Sequence, residues 1–140
     1  MTLRRPKVYD PSDVSLLFAS VNEAALQERL RRLCRTLSLP HYHTHDSRRS
    51  EGGFPDSVIV RAPQDWGRPW LVIVELKSEK GRLTDEQTRW GVLLRAVEAA
   101  AGGALCYRVV RPSTWERLVG LLTAGREGDA PPVPWEDCIG

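Results

Sequence analysis

The segment "WLVIVELK", residues 70–77, limits the possible folds of this chain more than any other stretch. Trp70, Val72, Val74 and Leu76 share one parity, and Leu71 and Ile73 the other. Successive side chains of a strand point to opposite faces, so a strand apolar at both parities belongs inside a sheet covered on both sides. Glu75 and Lys77 then close the run on the parity of Leu71 and Ile73. Burying an unpaired carboxylate or ammonium costs several kcal/mol, so something must offset it. Two arrangements would serve: an ion pair between the two, or a cavity at the strand end where carboxylates and a divalent cation compensate one another.

The flanking sequence supplies the covering layers. "SVNE" sets Ser20 three residues before Glu23, a capping-box pattern, and Leu26, Leu30, Leu33, Cys34 and Leu37 follow at helical spacing up to Pro40. "HYHTHD" alternates as a strand does, and "SRRSEGG" reads as a turn or mobile loop. Ser57–Arg61 is a further strand, and Pro63, Gly67 and Pro69 in "APQDWGRP" make a hairpin to the Trp70 strand. Thr84 and Gln87 in "TDEQ" repeat the cap, with Trp90, Leu93, Leu94 and Val97 expected as the buried stripe and Gly102-Gly103 as the stop. "ALCYRVV" is a fourth strand, and "STWE" is expected to cap a last helix running to about Ala124. The expected fold is α/β: a mixed four-stranded sheet flanked by helices, in the order αβββαβα, with a parallel crossover from the Trp70 strand. Residues 1–19 read as an irregular arm, 20–124 as the folded domain and 125–140 as a Gly/Pro-rich tail.

Asp56 favours the cation. It opens the strand that the hairpin sets antiparallel to the Glu75 strand, so the start of one lies beside the end of the other and the carboxylates converge. Two carboxylates and a backbone carbonyl make a hard oxygen site of the kind magnesium or manganese uses beside phosphate. Lys77 would then orient a water or stabilise developing negative charge.

Pro55-Asp56 followed by Glu75-Leu76-Lys77 resembles the signature of PD-(D/E)xK nucleases. "GFPD", "VELKSEKGRLTDEQ", "VVRPSTWE" and "YHTHDSRRS" resemble the VRR-NUC branch, in its stand-alone phage and bacterial form, over roughly residues 22–122. The resemblance implies a restriction-endonuclease-like core with Asp56 and Glu75 as metal ligands beside the Leu76 carbonyl, and Lys77 as the catalytic lysine. It also matches Glu23 to a helical acid and Gln87 to a glutamine opening the helix after the catalytic strand. The implied reaction is Mg2+- or Mn2+-dependent hydrolysis of DNA phosphodiesters, leaving 5′-phosphate and 3′-hydroxyl ends. The implied context is repair, recombination or phage DNA processing, hence branched or distorted DNA. His43, His45, Ser47, Arg48, Arg49 and Lys80 are the candidate DNA contacts, the arginines positioning phosphate rather than reading sequence.

Bland readings stand beside these. Glu23 and Gln87 are each explained by a helix cap alone. His41, His43 and His45 share a face and could hold zinc in an interaction domain, but no fourth ligand is evident, and substrate contact or a solvated face is the reading taken. A DNA-binding module without chemistry is the other alternative. The net charge of +2 means that affinity for DNA must come from local clusters. Cys34, Cys106 and Cys138 are odd in number and without a CxxC pair, which fits a reducing cytoplasm rather than a disulfide framework. No apolar run is long enough to span a bilayer, and "MTLRRPKVYDPSD" lacks the apolar core of a secretory signal. A 140-residue nuclease has little surface for a branched duplex, so a homodimer is expected.

Overall fold

The computed structural model describes residues 16–44, 51–61 and 70–123. Its elements are α1 (Glu23–Thr36), β1 (His41–His43), β2 (Ser57–Arg61), β3 (Trp70–Leu76), α2 (Asp85–Ala100), β4 (Leu105–Val110), a 3-10 turn (Pro112–Thr114) and α3 (Trp115–Thr123). The sheet order is β1-β2-β3-β4, with β1–β2 and β2–β3 antiparallel and β3–β4 parallel, so the mixed four-stranded sheet expected from sequence is present. The calls on residues 1–15, on the 62–69 connection and on the tail beyond residue 123 lie outside the described residues.

Both faces of β3 are covered, as its two apolar parities require. On one face Trp70, Val72, Val74 and Leu76 pack with Leu26, Leu30 and Cys34 of α1 and Leu118, Leu121 and Leu122 of α3. On the other, Ile73, Tyr107 and Val109 form a smaller core with Leu83 and Leu94, under α2. Glu75 and Lys77 belong to this second face, at the end of the strand.

Five local expectations are corrected. Residues 16–19 are helical, not irregular, and Ser20 Oγ donates to Leu17 O, closing that turn. The N-cap of α1 is therefore Asn22, whose side chain accepts from Ala25 N at 2.8 Å, and Glu23 is in the first helical turn rather than in a capping box. On α2, Leu93 and Val97 are 62% and 50% exposed, so the stripe is misplaced. Gly91 and Leu94 face the sheet, because a β-carbon on Gly91 would already lie 3.0 Å from the Tyr107 hydroxyl, and that close approach fixes the helix rotation. Ser113 does not pair with Glu116: its amide donates to Glu79 Oε2 at 3.1 Å, across the end of the sheet. Strand β1 ends at His43, shorter than "HYHTHD" suggested. The Thr84–Gln87 capping box is present as read, and α2 stops before Gly102 and Gly103, both at positive φ.

The outer edge of β4 is occupied by a side chain. Glu98 of α2 accepts from Tyr107 N at 2.8 Å and from Arg108 Nη1 at 2.5 Å. Arg108 is fully buried, and this carboxylate is its ion-pair partner. No described helix is long and apolar enough to cross a membrane.

Candidate active site

The β2–β3 register pairs Ser57 with Val74, which sets Asp56 opposite Glu75. Asp56 Oδ2 accepts from Leu76 N at 3.0 Å, so the backbone of the neighbouring strand aims this carboxylate. The chain ahead of it is latched to α2. Trp90 Nε1 donates to Gly52 O at 3.2 Å, and the Trp90 and Phe54 rings meet edge-on with centroids 5.1 Å apart. Gly53 makes this possible: its φ is +84°, and a β-carbon there would lie 2.5 Å from the Glu86 carbonyl carbon.

Glu75 is 2% exposed. Its Oε1 accepts from Gln87 Nε2 at 3.0 Å, while Oε2 is buried with no hydrogen-bond partner among the described residues. Burial first, and then the Asp56 charge, push its carboxyl up to about 9, against the pull of Lys77. Gln87 performs two tasks that sequence reasoning treated as alternatives. Its Oε1 accepts from Thr84 N at 2.9 Å to complete the cap, and its amide nitrogen reaches Glu75.

Lys77 is 9% exposed, and its ammonium lies 3.7 Å from Glu23 Oε1. The ion pair of this lysine is thus with the first turn of α1, and none joins Lys77 to Glu75 among the described residues. With the capping-box explanation of Glu23 removed, this contact is what the acid does in the fold. Glu23, Gln27, His43, Asp56 and Leu76 line one open pocket of about 330 Å3. Gln27 Nε2 lies 3.5 Å from Ser57 Oγ. His43 Nδ1 is 3.1 Å from Asp56 O, and because a carbonyl only accepts, the proton is on Nδ1.

Sequence and structure therefore agree in bringing Asp56, Glu75, Leu76, Lys77, Glu23 and Gln87 to one place. Lys80 is exposed on the turn after Lys77. His45, Ser47, Arg48 and Arg49 lie outside the described residues. His41 and His43 point to the same side of β1 with ring centroids 6.5 Å apart, and burial together with the His43 charge lowers the His41 pKa.

Among the described residues, no three His, Cys, Asp or Glu side chains group closely enough to hold an ion by themselves. Two carboxylates with a backbone carbonyl still suit a hard cation that keeps several waters. The orphaned Glu75 oxygen and the Asp56–Glu75 repulsion are what such a charge would relieve. The donor set fits.

The family model of the VRR-NUC domain matches residues 7–102, more than half of the chain and reaching into the segment read as an arm. No curated protein and no solved structure matches the chain.

Proposed function

The chain belongs to the VRR-NUC family of nuclease domains, and from that premise we propose that it is a Mg2+- or Mn2+-dependent deoxyribonuclease hydrolysing phosphodiester bonds. The observation that carries the reading is Glu75: a buried carboxylate with one oxygen unpartnered, facing a second carboxylate, beside a buried lysine. A fold gains nothing from that combination unless a cation completes it.

Asp56, Glu75 and the Leu76 carbonyl would hold the ion. Bound there, it would supply charge that offsets the negative charge developing on the transferred phosphate and favours ionisation of water. Gln87 and the Leu76 amide hold the two carboxylates in place, so that little reorganisation is needed when the ion arrives. Lys77, its ammonium 3.7 Å from Glu23 Oε1, would orient the attacking water or stabilise the phosphate. We assign the products as 5′-phosphate and 3′-hydroxyl ends, the substrate as branched or distorted DNA in repair, recombination or phage DNA processing, the assembly as a homodimer and the compartment as the cytoplasm. The family supports the reading of DNA as the substrate.

The test is incubation with duplex, flap, splayed and four-way DNAs in magnesium, manganese or excess EDTA. Cleavage is expected with either ion, none in EDTA, and none from Asp56→Ala or Glu75→Ala, both of which should also weaken ion binding by calorimetry. Undiminished cleavage in chelator would overturn the reading. Binding without cleavage in every condition would leave the silent DNA-binding module. Stoichiometric zinc, lost on replacing His41, His43 and His45 by alanine, would instead favour the interaction domain.

A further inference from the structure

The motif "VVRPS" at the end of β4 and the turn "SEKG" after Lys77 are far apart in sequence and meet through one side chain. Arg111 Nη1 donates to Gly81 O at 2.6 Å, to Ser78 O at 2.8 Å and, more weakly, to Glu79 O at 3.4 Å. The turn is closed by Gly81 N on Ser78 O at 3.2 Å. Its Glu79 carboxylate accepts from Ser113 N, just past the arginine. Arg111 is itself anchored, its amide donating to Thr114 Oγ1 at 3.0 Å. One residue earlier, Val110 O accepts from Lys77 N at 3.0 Å, so the β3–β4 ladder runs one pair beyond the strands.

The turn lies along the lysine. A β-carbon on Gly81 would sit 3.6 Å from Lys77 Cδ, so the loop that Arg111 gathers lies beside the aliphatic stem of Lys77. The stem has four rotatable bonds, and its ammonium is 3.7 Å from Glu23, too far for a tight pair to fix it. Three carbonyls turned inward need a donor, and a guanidinium nitrogen at their centre provides it.

We propose that Arg111 is a positioning residue for Lys77: by holding the carbonyls of Ser78, Glu79 and Gly81 it fixes the turn that keeps the lysine directed at the reacting phosphate, a role that rests on the nuclease reading above. Its Nη1 protons go to the carbonyls of the turn. Geometry errors of about 1 Å at a reacting group cost on the order of 100-fold in rate. Arg111→Met should therefore lower single-turnover cleavage at saturating DNA by about 10- to 50-fold, with KM changed less than about 3-fold. Arg111→Lys, which can still reach some of the carbonyls, should recover part of the loss.

The experiment is a double-mutant cycle with Lys77→Ala, measured with enzyme in excess over DNA and paired with amide hydrogen exchange on the DNA-free protein. In the Lys77→Ala background, Arg111→Met should cost less than about 2-fold, because the group being positioned is gone. Exchange at the Lys77 and Gly81 amides should quicken by about 10-fold or more in Arg111→Met, while α1 and β2 amides keep their protection. An undiminished cost in the Lys77→Ala background would overturn the proposal, as would a rise in KM with cleavage rate unchanged, the mark of a phosphate contact. Unchanged exchange in the turn would also overturn it. If the unsubstituted protein cleaves no DNA, the nuclease reading fails, and the exchange result still decides whether Arg111 holds the turn.

Discussion

Replacing Glu75 by glutamine should stabilise the metal-free protein above about pH 5, although it removes the residue at the centre of the site. The acid is 2% exposed, and burial with the neighbouring Asp56 charge pushes its carboxyl from 4.5 up to about 9. Between those values the unfolded chain has released a proton that the folded chain retains. The native state then binds more protons, so stability is full below about 4.5, falls as pH rises through this window, and levels off above about 9. At pH 8 the ceiling on the loss is about 5 kcal/mol, from 1.36 kcal/mol per pH unit over the distance from 4.5. Water entry and side-chain adjustment reduce this, and about 2 kcal/mol is the expected gain for Glu75→Gln. Glutamine keeps an oxygen to accept from Gln87 Nε2, so that donor keeps its partner. For a domain of this size the gain corresponds to a Tm rise of about 5–10 °C. The assay is thermal melting in EDTA at pH 5 and pH 8: the two proteins should nearly coincide at pH 5 and separate at pH 8. Adding magnesium at pH 8 should then raise the Tm of the unsubstituted protein alone, because only it gains by binding the ion. A Glu75→Gln protein that melts at or below the unsubstituted one at pH 8 in chelator would refute the argument that this acid is held against its charge.

Lys77→Ala should lower magnesium-dependent cleavage by about 100-fold while changing DNA affinity only slightly, since many phosphate contacts share that affinity, and Lys77→Gln should be nearly as inactive. It should also cost little stability, because Glu23 is half exposed and stays hydrated without its partner; single-turnover cleavage beside a binding titration and a melt would check all three, and normal cutting by either variant would refute the assignment. Glu98→Ala removes one carboxylate partner of the fully buried Arg108 and should destabilise by about 3–5 kcal/mol in urea unfolding, with a loss below about 1 kcal/mol counting against the pair. Gly53→Ala forces a side chain into positive φ and against the backbone of Glu86; a loss of about 2 kcal/mol or more is expected, with weaker magnesium binding by calorimetry because the approach to Asp56 shifts. An unaltered melt would mean that the latch is not close.

The parts of the fold that were legible in sequence are those in which periodicity carries the information. Residues 70–77 announced a strand covered on both sides, and a hairpin register was enough to bring Asp56 to Glu75. Gln87 was found through its cap, and the cap turns out to be what carries its amide to the site. The failures share a cause. Ser20-x-x-Glu23 and Asn22 are both adequate caps in isolation, and the choice fell to Asn22 because the Ser20 hydroxyl was already used by the preceding turn. On α2 the apolar pattern marked a face but not which face meets the sheet, and the contact of Gly91 with Tyr107 decided it. Arg111 left no trace as a clamp, because its partners are carbonyl oxygens, which every residue has.

With Glu98 seated on the Tyr107 amide, the β4 rim of the sheet cannot template another strand. The β1 rim is the other end of the strand order, and it is three residues long and carries His43 beside the pocket. A strand added there, whether from a second copy or from a peptide, would crowd the pocket beside Asp56, the entry for DNA on the nuclease reading proposed above. Sheet continuation and substrate entry thus compete for the same few ångströms. On that reading, two copies that both remain open to DNA would avoid sharing the β1 edge.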